Sequence, residues 1–274
     1  MTAWTTKKGK LIASGATVAQ VDVEAGKIGY QMPVQIAVHG DAQATGEALL
    51  AELERRGAKP RPGRHNEAMR ERIRATIIII RIRTRRLHRS PHLEQGLDAI
   101  LPVDRVVASD SGHFCGWVPR YLRVPNARAS CLSHSFQSVG LGLPSVIGLA
   151  IANPGKLAVL GTGDGGFLMS MADLETAIRL KLRLCILVYN DSSYAAEVHY
   201  FRRQGYSVDI VQFAQTDFTA IARGFGARGA TVRTRADFDP LKAWVAEGSP
   251  GVFVIDGKIN PDLEADWHAE HFPN

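Results

Sequence analysis

The chain has 274 residues, 45% of them apolar, and a formal net charge of +6. That is enough apolar material for a globular core, and no apolar run reaches the roughly 18 residues of a membrane-crossing helix. The charge is local: residues 55–89 hold thirteen Arg or Lys against two acids, Glu67 and Glu71. The remainder is slightly acidic, which argues against a nucleic-acid-binding surface spread over the protein.

In chain order, residues 1–10 are polar and show no secretory pattern. Cys115, Cys131 and Cys185 are far apart, without metal-ligand spacing. A reduced, cytoplasmic setting is the simplest expectation. Residues 16–23 read as a strand ending in an acid, and residues 34–41 as a second short strand. Residues 42–53 then read as a helix with Asp41 as its N-cap. Two strands and one helix make a small unit whose open sheet edge needs a partner. Pro60, Pro62 and Gly63 mark a linker, followed by arginines interleaved with Ile77-Ile78-Ile79-Ile80. Three readings stay open for residues 55–89: a solvated linker, an arginine patch for phosphates or acidic surfaces, and the product of a locally shifted reading frame.

The main domain is expected from residue 90. Residues 92–100 read as a helix and residues 105–109 as a strand running into Asp110-Ser111-Gly112-His113-Phe114. Residues 133–142 form a polar, glycine-containing turn before a helix that reaches Asn153. An apolar strand, residues 156–160, then leads to Gly163-Asp164-Gly165-Gly166. One amphipathic helix is expected over residues 167–180. The strand at 184–189 carries Cys185 as plain core and ends on Asn190-Asp191-Ser192-Ser193-Tyr194. Helices at 194–201, 218–225 and 236–246 and strands at 229–233 and 252–256 complete the pattern, and residues 260–274 read as a loose, polar tail.

Strand–loop–helix–strand with acids at the carboxyl ends of both strands places Asp164 and Asp191 on the edge where parallel sheets bind ligands. Glycines let backbone N–H groups approach phosphate oxygens, and a helix N-terminus favours negative charge. Two carboxylates are hard ligands for Mg²⁺, which takes about six oxygens, some from phosphate and water.

The Gly163-Asp164-Gly165 start, the following two dozen or so residues and the Asn190-Asp191 pair resemble the thiamine-diphosphate-dependent enzymes, in the acetolactate synthase and pyruvate decarboxylase branch. The resemblance implies an α/β fold, a parallel sheet flanked by helices, over residues 90–274. It also implies a remnant of a central Rossmann-like domain over residues 1–54, with the basic linker 55–89 between them. It assigns Mg²⁺ to Asp164, Asp191 and the carbonyl of Ser193. The family's usual pair is Asn-Asn, so Asp191 is a departure that adds charge and can alter affinity, and Asn190 is a candidate to share the ligand role. The same resemblance places the diphosphate of thiamine diphosphate against Gly163, Gly165, Gly166, Tyr194, His113 and Phe114. It places the aminopyrimidine against the turn of Ser138 and Val139. Val139 stands where a bulkier residue holds the cofactor bent; the alternative is that it packs between helix and sheet. For His113 the alternative is a turn with a surface histidine.

Glu197 matches a glutamate that moves protons in decarboxylases of this branch; a surface salt bridge is the alternative. The implied activity is decarboxylation of a small 2-oxo acid, followed by protonation or transfer to a second carbonyl. In the family, the glutamate that activates the aminopyrimidine comes from a pyrimidine-binding domain of the neighbouring subunit, and no stretch of these residues resembles that domain. The expectation is therefore a half-site that works as a homo-oligomer or with a complementary pyrimidine-domain chain. The alternatives are a non-catalytic cofactor-binding protein and a truncated gene product.

Overall fold

The computed structural model describes residues 9, 11–59, 66–69, 71, 91–133, 136, 138–265 and 267–268. Most of the basic segment at 55–89, with its isoleucine run, lies outside the described residues. The chain divides into two compact units, residues 1–76 and 77–274.

In the first unit, β1 (Ala19–Asp22) pairs in parallel with β2 (Ile36–His39), with Ala19 opposite Ile36 and Asp22 opposite His39. Helix α1 (Ala42–Arg55) follows, and the Asp41 side chain accepts a hydrogen bond from the Ala44 amide as expected of an N-cap. Leu49, Leu50 and Leu53 on α1 and Ile36 on β2 are exposed.

The second unit is one six-stranded parallel sheet with helices on both faces. Its elements are α2 (Pro91–Ile100), β3 (Arg105–Ser109), α3 (Trp117–Tyr121), β4 (Ser130–Leu132), α4 (Gly142–Ala152) and β5 (Leu157–Gly163). They continue with α5 (Asp164–Ser170), α6 (Leu174–Arg179), β6 (Leu184–Asn190), α7 (Ala195–Gln204), α8 (Phe218–Gly224), β7 (Arg228–Val232), α9 (Asp239–Ala246) and β8 (Val252–Lys258). The strands lie in the order β4-β3-β5-β6-β8-β7, all pairings parallel.

The strands are continuous apolar runs because both faces are covered. Side chains alternate between two cores. Val159, Cys185, Leu187, Phe253 and Ile255 face α2, α3 and α9, against Leu97, Trp117, Leu241 and Trp244. Leu160, Ile186, Val188 and Val254 face the other way, against Val146, Ile147, Phe167, Leu174 and Phe218 of α4, α5, α6 and α8. Burial pushes the Cys185 thiol up to about 12, so it is inert core. The three cysteines are free thiols. Among the described residues no helix is long and apolar enough to cross a membrane.

Three expectations change. The helix expected over residues 167–180 is two helices, α5 and α6, joined by a 3-10 turn at Met171–Asp173. The Ser170 hydroxyl donates back to the Gly166 carbonyl at 3.1 Å, a local bond that competes with helix continuation. The described part of the tail, residues 260–265 and 267–268, is not loose: Ala265 and His268 are buried, and the Trp267 indole N–H donates to the His113 carbonyl at 3.0 Å. Strand β4 adds an edge that the sequence pattern did not mark.

Candidate functional site

Strand order reverses at the β3–β5 pair, since β4 lies on one side of β3 and β5 on the other. Ligands of open parallel sheets bind outside the carboxyl ends of strands at such a reversal. The loop after β3, the turn before α4, the glycine turn after β5 and the loop after β6 all meet this edge.

Asp164, the first residue of α5, is buried. Its Oδ1 accepts from the Gly165 amide at 2.7 Å and its Oδ2 from the Ser192 amide at 2.6 Å. The second bond ties the β5 turn to the β6 loop. It is allowed by the left-handed backbone of Ser192, φ 62°. The Asp191 Oδ1 accepts from the Ser193 hydroxyl at 2.9 Å. Burial pushes the Asp164 carboxyl up to about 6 despite its hydrogen bonds. Asp191 rises to about 7, through burial first and then the neighbouring charge of Asp164. Two buried carboxylates, one of them raised further by the charge of the other, suit a cation, which would offset both burial and repulsion.

The glycines are spaces for neighbouring side chains. A Cβ on Gly165 would lie 2.3 Å from the Tyr194 ring, and one on Gly166 would lie 2.6 Å from the Asp110 Oδ2 and 3.2 Å from the Val139 Cγ1. Tyr194 is held in turn by an edge contact with Phe213, centroids 5.4 Å apart.

The other predicted residues divide. Val139 is 37% exposed and stands beside the first turn of α5, with Ser138 next to it half-buried. Phe114 is buried, stacked on Tyr189 at 4.8 Å and packed against Gly163. His113 is buried rather than a surface histidine. Its Nε2 accepts from the Ala265 amide at 3.0 Å and lies 2.9 Å from the Leu263 carbonyl. Burial and the neighbouring His199 and His268 rings hold it well down, at about 3, so it is neutral. Asn190 is buried and donates through Nδ2 to Asp256 Oδ1 at 2.8 Å and to the Thr216 carbonyl at 3.1 Å. Its amide is directed to β8 and the loop before α8. Glu197 is exposed on the first turn of α7.

One residue of the site, marked in the sequence only as part of a polar strand end, takes a role that the sequence does not show. Asp110, at the end of β3, is fully buried and accepts from the Ser111 and Gly140 amides and the Thr162 hydroxyl. Burial raises its carboxyl and those bonds oppose the rise. Its partners Gly140 and Thr162 lie 30 and 52 positions away, beyond any local spacing.

Residues 110–256 match the family described as "Thiamine pyrophosphate enzyme, C-terminal TPP binding domain". The chain belongs to this family. The thiamine pyrophosphate enzymes most similar to it include a catabolic acetolactate synthase of Raoultella terrigena, 32% identical over 177 residues, which cover 64% of this chain and 32% of that protein. A probable 2-ketoarginine decarboxylase of Pseudomonas aeruginosa is 28% identical over 255 residues, 90% of this chain and 43% of its own length. The crystal structure of a benzoylformate decarboxylase from Polynucleobacter necessarius superposes with a TM-score of 0.69 at 17% identity, over 92% of this chain and 46% of that one. That likeness shows the fold. The chain thus spans about a third of the length of the first relative and under half of the others.

Membership implies thiamine diphosphate as the cofactor. The residues present fit it: Asp164 and Asp191 offer hard oxygens on the adjacent ends of β5 and β6, and Gly165 and Gly166 bring backbone without a Cβ to the same turn, packed by Tyr194, Asp110 and Val139. Among the described residues no group of three His, Cys, Asp or Glu side chains could hold a metal by itself. Two carboxylates alone are what a site completed by main chain, water and diphosphate would show.

Proposed function

We propose that this chain holds the diphosphate of thiamine diphosphate through Mg²⁺ and forms the diphosphate half of an acetolactate-synthase-like decarboxylase or carboligase acting on a small 2-oxo acid. The observation that carries the reading is the pair of carboxylates Asp164 and Asp191 on the adjacent ends of β5 and β6, beside the strand-order reversal, both raised by burial and Asp191 raised further by the charge of Asp164. Asp164, Asp191 and the Ser193 carbonyl would hold the cation, and the diphosphate would supply further oxygens. Val139 would support the bend between the cofactor's rings, and Phe114 and Tyr194 would wall the diphosphate turn. Thiamine diphosphate supplies the carbon that stabilises negative charge after a 2-oxo acid loses carbon dioxide. The chain's own tasks are to bind and orient it. Exposed on α7, Glu197 is the candidate to hold or give a proton near the substrate.

Relatives extend well beyond the stretch matched here. The reading assigns pyrimidine activation to a glutamate on a pyrimidine-binding domain of a neighbouring subunit, of the same or of another polypeptide. Mixing this chain with a polypeptide that carries such a domain, thiamine diphosphate and Mg²⁺ should release carbon dioxide from a 2-oxo acid such as pyruvate. Release by the mixture but not by either component supports the reading. No release across a panel of 2-oxo acids, while cofactor binding is intact, would favour a non-catalytic cofactor-binding protein.

A further inference from the structure

Resting on that reading of the cofactor site, we infer that Asp110 is a positioning residue, which sets the Val139 turn in register with the metal-binding turn. One carboxylate oxygen does the joining. Asp110 Oδ2 accepts from the Gly140 amide at 3.0 Å, directly after Val139, and from the Thr162 hydroxyl at 3.1 Å, two residues before Asp164. The other oxygen anchors the carboxylate to its own loop, accepting from the Ser111 amide at 2.8 Å and the Ser133 hydroxyl at 3.5 Å. Asp110 therefore links the ends of β3, β4 and β5, the three strands that flank the reversal.

Packing around the group has no slack. A Cβ on Gly142 would lie 2.6 Å from the Asp110 Cβ, and one on Gly166 would lie 2.6 Å from its Oδ2. A Cβ on Gly140, whose φ is 91°, would lie 2.9 Å from the Met169 Cβ on α5. The Val139 turn is thus pressed onto the first turns of α5 and held there by a bond to Asp110. All four named partners are donors, which suits a carboxylate and not an amide. In an asparagine at this position the NH₂ must face a backbone N–H whichever way it is turned, that of Gly140 or that of Ser111.

Such a residue acts on the ring end of the cofactor more than on the diphosphate end. Calorimetric titration of the whole chain with two probes, thiamine diphosphate and inorganic pyrophosphate, each with Mg²⁺, separates the two. Asp110→Asn is expected to weaken thiamine diphosphate about tenfold or more while leaving pyrophosphate within about twofold, a split that general loss of structure would not give. Thr162→Val, which removes one donor and keeps the shape, should show the same split at smaller size and serves if the asparagine variant does not fold. Equal weakening of both probes, or no change in either, overturns the inference. Failure of the unaltered, folded chain to bind either probe overturns the cofactor reading itself, and this inference with it.

Discussion

Glu94 sits on the core side of α2, fully buried, beside the equally buried hydroxyl of Tyr189. Neither finds a well-aligned hydrogen-bond partner among the described residues. Burial pushes the Glu94 carboxyl from 4.5 up to about 8, so it is protonated at neutral pH. The folded state therefore binds a proton that the unfolded state has released above its own pKa. Stability from this group is complete below about pH 4.5 and is lost as pH rises through about 8, by an amount on the order of 5 kcal/mol. Glu94→Gln should flatten that fall, so that thermal unfolding followed by circular dichroism gives a variant more stable than the parent above pH 8. Parallel curves for the two proteins would show that Glu94 ionises freely in the fold. At the site, Asp164→Ala removes the carboxylate proposed to hold the cation and its two backbone hydrogen bonds together. It should weaken Mg²⁺-dependent cofactor binding by about tenfold to a hundredfold, as for loss of a charge-assisted bond.

Among the elements, α2 is tied to β3 by a buried ion pair. Asp98 meets the fully buried Arg105 guanidinium, and also takes Arg123 Nε at 2.7 Å and the Arg123 amide at 2.9 Å. Asp98→Ala would leave Arg105 charged and unpaired in the core, so a loss of about 3–5 kcal/mol is expected in chemical denaturation. A loss below about 1 kcal/mol would mean that water reaches the arginine. Gly165→Ala is expected to act differently. Its methyl would push the Tyr194 ring, costing roughly 1–3 kcal/mol as overpacking does and displacing the loop that carries Asp191 and Ser193. The long, uninterrupted elements were legible in the sequence: β5, β6, β8, α2 and α4 fall within a few residues of their apolar runs. Shorter ones were not. Strand β4 is Ser-Cys-Leu, three residues without alternation, and its pairing with β3 depends on contacts the pattern does not show. The break after Ser170 comes from a side-chain bond within a helical pattern, and Leu263, Ala265 and Trp267 meet His113, some 150 positions away.

For the molecule as a whole, one sheet brings Asp164 and Asp191 to a shared edge. That much of the candidate site followed from glycine spacing and strand ends. Asp110 was legible only as part of a polar strand end; its links did not follow, because its partners are distant in sequence, and the direction of Asn190 toward Asp256 required knowing that β8 inserts beside β6. The central claim is that this edge binds a diphosphate through a divalent cation. Its most direct test is calorimetric titration of the purified chain with thiamine diphosphate, with and without Mg²⁺. Binding is expected to require Mg²⁺ and to weaken by about tenfold to a hundredfold in Asp164→Ala. Absence of binding by a well-folded sample, or equal binding without the cation, would contradict it.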